Sequence, residues 1–170
     1  MEQAALAARC GATYIAPYVN ELRVHFDEDG YRDPAPNFGL CVQAQRYYKA
    51  HGYKTTVLPA SLTSPAEVMD LAGADAITIS PRILEWLAKD EYVEMWRGKV
   101  KAWASLFDDE VTDQERQKEQ EVWRDLEEVE VQEKYRMMVT RRNGGRQEEK
   151  LVQAINIFAD FQAKLEALMV

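Results

Sequence analysis

Apolar and polar positions change period several times along the chain. Three stretches are short, extended in character and rich in β-branched or aromatic residues: Thr13-Tyr-Ile-Ala-Pro-Tyr-Val19, Lys54-Thr-Thr-Val-Leu-Pro-Ala60 and Asp75-Ala-Ile-Thr-Ile-Ser80. Side chains of this kind fit a pleated, half-buried surface, so each stretch predicts a strand. Between them the period lengthens to that of a helix. Asn37 to Ala50 closes on His51-Gly52, and Ser64-Pro65 with Glu67 opens a helix from Ala66 to Ala72 that closes on Gly73. Ser64 is placed to cap that helix, with Pro65 at its first position. A further helix from about Arg82 to Leu87 follows the third strand and runs on irregularly through Trp96. Helices alternating with strands predict βα units around a parallel sheet.

From residue 98 no strand pattern recurs, and Asp108 to Glu133 is dense in Glu, Gln, Lys and Arg. Trp103, Leu106, Phe107, Val122, Trp123, Leu126 and Val129 supply apolar positions, several three or four residues apart, which predicts helices packing on the sheet. Asn143-Gly144-Gly145 reads as a turn. Gln147 to Met169 reads as an amphipathic helix with Leu151, Ala154, Ile155, Phe158, Phe161, Leu165 and Leu168 on one side. The pattern divides the chain into a βα region, residues 1–97, and a helical extension, residues 98–170. Three strands leave edge backbone groups unpaired and two faces to cover, so self-association is expected, with a dimer favoured.

Composition narrows the class. The 170 residues suffice for one domain; 46% are hydrophobic and 29% charged, and no apolar run approaches the length of a membrane span. The opening MEQAALAARC contains an acid and lacks the basic start of a signal peptide, so a soluble, cytoplasmic protein is expected. Cys10 and Cys41 stand apart from any metal-binding spacing and read as reduced, buried thiols. A net charge of −8 repels a phosphate backbone, and the basic run Arg141 to Arg146 is short and flanked by acids, so neither nucleic acid nor membrane is an expected partner.

Four segments, Gly11 to Val19 (GATYIAPYV), Tyr47 to Thr55 (YYKAHGYKT), Leu71 to Pro81 (LAGADAITISP) and Lys150 to Ala159 (KLVQAINIFA), resemble in order and spacing the C-terminal half of class I transaldolases. The likeness covers about residues 2–90 and 147–168. It implies a partial (β/α) barrel of about three parallel strands with C-terminal helices. Transaldolases move a dihydroxyacetone unit between phosphorylated sugars through a Schiff base on lysine, with an Asp and a Glu handling protons. The resemblance implies that those three residues belong to strands preceding this segment, and that the chain is not a self-sufficient Schiff-base transaldolase.

Two family arginines that grip the substrate phosphate should fall within the chain. The pattern Ser-Pro-Phe-Val-Gly-Arg reads Ala16-Pro17-Tyr18-Val19-Asn20-Glu21, and Gly-Ala-Ser-Phe-Arg reads Pro59-Ala60-Ser61-Leu62-Thr63. Replacing a guanidinium fork by Glu21 and by Thr63 reverses the local electrostatics. The expected ligand is therefore a non-phosphorylated small molecule.

Strand alternation sets Tyr14, Ala16 and Tyr18 on one face, with Thr55, Val57, Pro59 and Ser61 on the second strand and Ala76, Thr78 and Ser80 on the third. This wall of phenols and hydroxyls suits a neutral or apolar ligand held by a few hydrogen bonds. Glu21 and Tyr18 are the candidate catalytic pair, as base and acid for an isomerisation, dehydration or cyclisation. The plainer alternative makes Tyr18 a core aromatic and Glu21 a solvated loop acid. Tyr14, Ser61, Thr63, Thr78, Ser80 and Arg82 are the substrate-binding candidates; Arg82 opposes the dipole at a helix start, as an anion contact or as half of a surface salt bridge. His25, in Val24-His-Phe-Asp-Glu-Asp29, matches no zinc spacing, and His51 reads as a helix-end cap, so no metal and no cofactor are expected. Three functional classes follow: a repurposed acid/base or templating enzyme of isomerase, cyclase or lyase type; a non-catalytic binding or regulatory protein associating with itself or with a complete transaldolase; or one half of a transaldolase in the pentose phosphate pathway whose other half is supplied by a second chain.

Overall fold

A computed structural model describes residues 1–27, 29–97, 105–107, 112–127 and 132–169. In chain order it contains α1 (Glu2–Arg9), β1 (Tyr14–Ile15), a 3-10 turn (Leu22–His25), α2 (Phe38–His51), β2 (Thr56–Val57) and α3 (Pro65–Asp70). These are followed by α4 (Pro81–Leu87), α5 (Asp90–Arg97), α6 (Asp113–Glu127), α7 (Gln132–Arg141), a 3-10 turn (Arg142–Gly145) and α8 (Arg146–Leu168). Trp103 and Val129, and the side chains of Trp96 and Leu126, lie outside the described residues.

The chain is rich in helix around a small parallel sheet. β1 and β2 pair in parallel, Tyr14 opposite Thr56 and Ile15 opposite Val57, and an isolated bridge joins Tyr18 to Ala60. Asp75–Ser80, expected as a third strand, forms no ladder and meets β2 and the loop after it at two points: the Thr78 N–H donates to the Pro59 carbonyl at 2.9 Å, and the Val57 N–H donates to the Asp75 carboxylate at 3.1 Å.

The register corrects the expected pocket wall. Parallel partners share a face, so Tyr14 stands beside Thr56, and Ile15 beside Val57. Thr55, Val57 and Pro59 are buried, with the Thr55 hydroxyl donating to the Ala12 carbonyl at 2.7 Å, whereas Tyr14, Ala16, Tyr18, Ala76, Thr78 and Ser80 are exposed. The second strand is thus one residue out of phase with the sequence expectation. The β-branched apolar residues Ile15 and Val57 must share the side that the helices cover.

The core lies on that covered side. Ala4, Ala5 and Ala8 of α1 pack with Cys41, Ala44, Tyr47 and Tyr48 of α2, with Val57 and Leu71 beside them. Small residues on α1 let α2 approach closely, and the Tyr48 hydroxyl, buried among them, donates to the Ala4 carbonyl at 2.8 Å. Burial pushes its pKa up to about 12. Of the extension, α6 and α7 lie against α1, and Trp123 of α6 packs on Tyr47 and His51 at the end of α2. Cys41 is buried as expected; Cys10 is exposed, because it caps the end of α1 beyond the buried Ala4–Ala8 face.

Punctuation residues divide likewise. Gly52 ends α2 with a left-handed φ of 69°, and Ser64 caps α3 by accepting the Glu67 N–H with Pro65 at the first position. Gly73 does not end α3, whose cap is Leu71. Its lack of a side chain serves a close approach: a Cβ there would overlap the Phe107 side chain. The expected irregular helix after Ser80 is two helices, α4 and α5, and Ser80 itself caps α4 by accepting the Ile83 N–H at 3.4 Å.

Candidate functional site

Two cavities flank the end of β1, and the residues singled out from the sequence divide between them. The first, about 760 Å³, lies between the Ala16–Leu22 segment and α8; Tyr18 and Glu21 line it together with Arg146, Lys150, Leu151 and Phe158. The second, about 670 Å³, lies between the Leu22–His25 turn, the loop before α3 and the start of α4; Asn20, His25, Thr63, Glu67, Ser80 and Arg82 line it. Ser61 is not part of its lining, but the Ser61 hydroxyl lies 2.8 Å from Nε2 of His25, which is. Tyr14 and Thr78 stand outside both, on the exposed sheet face.

In the first cavity Glu21 is held from two sides. Its carboxylate accepts the Tyr31 hydroxyl at 2.7 Å and the Gln153 amide of α8 at 3.2 Å. The bond to Glu21 raises the Tyr31 pKa, since losing that proton would set two anions together. Just behind, Asp33 accepts the N–H of Glu21 at 3.0 Å and of Ala35 at 2.8 Å, and meets Lys150 at 2.8 Å and Arg146 at 3.5 Å. Burial pushes the Asp33 carboxyl up, but the hydrogen bonds from Lys150, Ala35 and Glu21 outweigh it and hold its pKa below the ordinary carboxylate value. Both cations on the cavity wall therefore face an acid already. Tyr18 is 45% exposed, a wall residue and not the core aromatic that the plainer sequence reading described.

The second cavity is built on an acid that sequence reasoning used only as a helix-start signal. Glu67, three residues after the Ser64 cap, reaches back to accept the Thr63 N–H at 2.6 Å and the Thr63 hydroxyl at 3.0 Å. The Asn20 amide donates to the same carboxylate at 3.1 and 3.3 Å and to the Ser61 carbonyl at 2.9 Å. The loop 61–63 is thus pinned from both sides, and Ser61 takes φ +63°, the only positive value outside glycine among the described residues. Partial burial lowers the His25 pKa, opposed by the charge of Glu67. Asp27 pairs with Arg23 in the same turn, and Arg23 lies 4.3 Å over the Tyr31 ring. Arg82 is exposed, its guanidinium 4.6 Å over the Trp86 ring, and it makes no ion pair among the described residues. His51 accepts its expected role: its Nδ1 lies 2.9 Å from the Tyr47 carbonyl at the end of α2.

The sequence readings missed Asn20, Tyr31, Asp33, Glu67 and Gln153. Only Glu67 left a local trace, the Ser64-x-x-Glu67 capping spacing. The others act across separations of 10 to 132 residues, which no local pattern records.

The comparisons with known proteins agree with the geometry of a partial α/β unit. The family model for transaldolase/fructose-6-phosphate aldolase matches residues 1–157. The chain is 36% identical over 95 residues to a transaldolase of Acidobacterium capsulatum, which is 54% of this chain and 28% of that protein. It is 37% identical over 93 residues to one of Shewanella sp. (strain W3-18-1), 52% of this chain and 29% of that protein, and 36% identical over 93 residues to one of Marinomonas sp. (strain MWYL1). The match spans less than a third of the length of these relatives. Among the described residues no helix is long and apolar enough to cross a membrane. With the family model covering nearly the whole chain, the protein belongs to the transaldolase/fructose-6-phosphate aldolase family.

Proposed function

We propose that this chain is a diverged family member whose cavity beside α8 takes a small, neutral, non-phosphorylated carbonyl compound and transfers a proton next to the carbonyl. The observation that carries this is the charge balance of the site. Arg146 and Lys150 face Asp33, and Glu21 adds a further acid, so among the described residues that line this cavity no unpaired cation awaits a phosphate dianion. Leu151, Ala154 and Phe158 make the far wall apolar. A cavity of this size, with an apolar wall opposite a few convergent hydrogen-bonding groups and its cations already paired, fits a small neutral ligand better than a sugar phosphate.

Glu21 is the base and Tyr18 the acid. The two hydrogen bonds to the Glu21 carboxylate fix its direction and leave lone pairs on both oxygens for a substrate C–H proton. As that proton leaves, the Tyr18 phenol donates its own to the carbonyl oxygen, giving an enediol. With an α-hydroxy carbonyl, Glu21 returns its proton to the former carbonyl carbon as the Tyr18 phenolate takes one from the other hydroxyl, which isomerises the substrate and restores both groups; loss of a β-substituent makes the same site a lyase. The test is proton exchange: dihydroxyacetone in D2O, followed by 1H NMR, should lose its C–H signal with the wild-type chain. Glu21→Gln should slow the loss by about 100-fold or more and Tyr18→Phe by about 10-fold. Wild-type exchange no faster than buffer, or a Glu21→Gln rate equal to wild type, would remove these roles.

The same reading takes Asp75–Ser80 as the third strand of a partial barrel and the exposed Tyr14–Tyr18 face as its inner wall. The Thr78 to Pro59 backbone bond supports it. A second copy of the chain then covers the apolar side of α8 beyond the cavity, where Ile155, Phe161 and Leu165 are each 45–58% exposed.

A further inference from the structure

We propose that Ser61 and His25 form a nucleophile and general-base pair that hydrolyses small carboxylic esters through an acyl-Ser61 intermediate, at a site separate from the Glu21 cavity. A serine hydroxyl is a weak nucleophile until a base within hydrogen-bond reach takes its proton. His25 Nε2 stands 2.8 Å from the Ser61 Oγ, across 36 residues of sequence. Helix capping does not account for this serine: Ser64 caps α3, and Ser61 lies three residues earlier. Its left-handed backbone is one that a β-carbon disfavours and that loops keep only where neighbours impose it. Asn20 on the Ser61 carbonyl and Glu67 on Thr63 impose it here.

Ser61 lies in the short loop between Ala60, which is bridged to Tyr18, and α3, which opens at Pro65. The Leu62 N–H, next along, makes no hydrogen bond among the described residues and is the donor available to an oxyanion. Thr63 N–H is not, being held by Glu67. The adjoining cavity of about 670 Å³ is lined by Leu62, Ile83 and Trp86 together with polar residues such as Asn20, Glu67 and Arg82, and has room for a small acyl group. Partial burial lowers the affinity of His25 for a proton, which leaves its ring neutral and able to act as base near pH 7, while the Glu67 charge favours the imidazolium once it forms.

The steps balance without a co-reactant other than water. The Ser61 O–H proton passes to His25 Nε2 as Oγ bonds to the carbonyl carbon. The tetrahedral oxyanion then collapses, the ester C–O bond breaks, and the departing oxygen takes the proton from Nε2 and leaves as an alcohol. Water next gives a proton to Nε2 as its oxygen attacks the acyl carbon. Collapse breaks the bond to Ser61 Oγ, which recovers the proton, and a carboxylic acid is released.

The experiment uses the full chain with p-nitrophenyl acetate and with diisopropyl fluorophosphate. Expected are a burst of p-nitrophenol equal to the protein concentration and phosphorylation located by peptide mass on Ser61. Ser61→Gly, whose backbone suits φ +63° better than serine does, should fold with an unchanged circular dichroism spectrum and lose both signals. His25→Gln should slow labelling of Ser61 by at least 100-fold. Label on another residue, no label at all, or Ser61→Gly turning over the ester at the wild-type rate, as a histidine acting alone would allow, would overturn the proposal.

Discussion

Ser61 and Gly52 both take a left-handed backbone, yet only Gly52 does so without a steric cost, since it has no β-carbon. Holding Ser61 there costs about 1 kcal/mol, which the Asn20 and Glu67 contacts offset. Ser61→Gly should therefore keep its stability within about 1 kcal/mol in urea denaturation, because the relief of strain opposes the added freedom of the unfolded chain. His25 carries the pH dependence. Its pKa is lowered in the folded chain, so it binds a proton more weakly there than unfolded. Its contribution to stability is full above the ordinary histidine value of about 6.5 and is lost as pH falls toward the folded value. Ester hydrolysis should rise with pH through a midpoint below about 6.5 and level off by neutrality; a rise that begins only above pH 8 would assign the base to another group. At this scale the caps were legible in the sequence, as Ser64-Pro65 and His51-Gly52 demonstrate. The Ser61 to His25 pairing was not, because it depends on how two loops meet in space.

At the scale of elements, α8 is tied to the rest of the chain by polar contacts and one aromatic contact. Lys150 and Arg146 meet Asp33, Gln153 meets Glu21, and Phe161 touches Phe26 at a ring separation of 4.9 Å. Asp33→Ala removes the shared partner and should cost about 2 kcal/mol in urea denaturation. Lys150→Ala should cost less, and Arg146→Ala least, since Arg146 is the longer and more exposed contact. The Asp33 pKa is lowered by these partners despite burial, so its stabilisation is present above the unfolded value of about 3.9 and disappears as pH falls through the folded one. Equal loss for all three substitutions would show that α8 is not anchored at Asp33. The amphipathic pattern of α8 was readable in advance, but what its apolar side meets was not. Periodicity fixes which residues share a face and says nothing of whether anything covers it. The strand phase is the converse case: Ile15 and Val57 gave the information needed, since apolar β-branched residues of neighbouring parallel strands belong on one covered side.

For the whole molecule, the largest unexplained feature is the apolar side of α8. Leu151, Phe158 and Leu165 recur every seven residues, as do Ala154, Phe161 and Leu168, the spacing of a helix that packs along another. A dimer is expected by light scattering after gel filtration, converted to monomer by Ile155→Asp with Leu165→Asp, two exposed residues outside the cavity lining; a wild-type monomer at micromolar concentration would contradict it. The family scaffold was legible from four short motifs, whereas the split of the anticipated site into two cavities was not, because it follows from where α8 and the Leu22–His25 turn meet the end of β1. The central claim is that the cavity beside α8 has exchanged a phosphorylated for a neutral ligand. Titration calorimetry with dihydroxyacetone and with dihydroxyacetone phosphate tests it most directly. The neutral ketone should bind at least tenfold more tightly than its phosphate, and Glu21→Gln should narrow the difference; tighter binding of the phosphate by the wild-type chain would contradict the exchange.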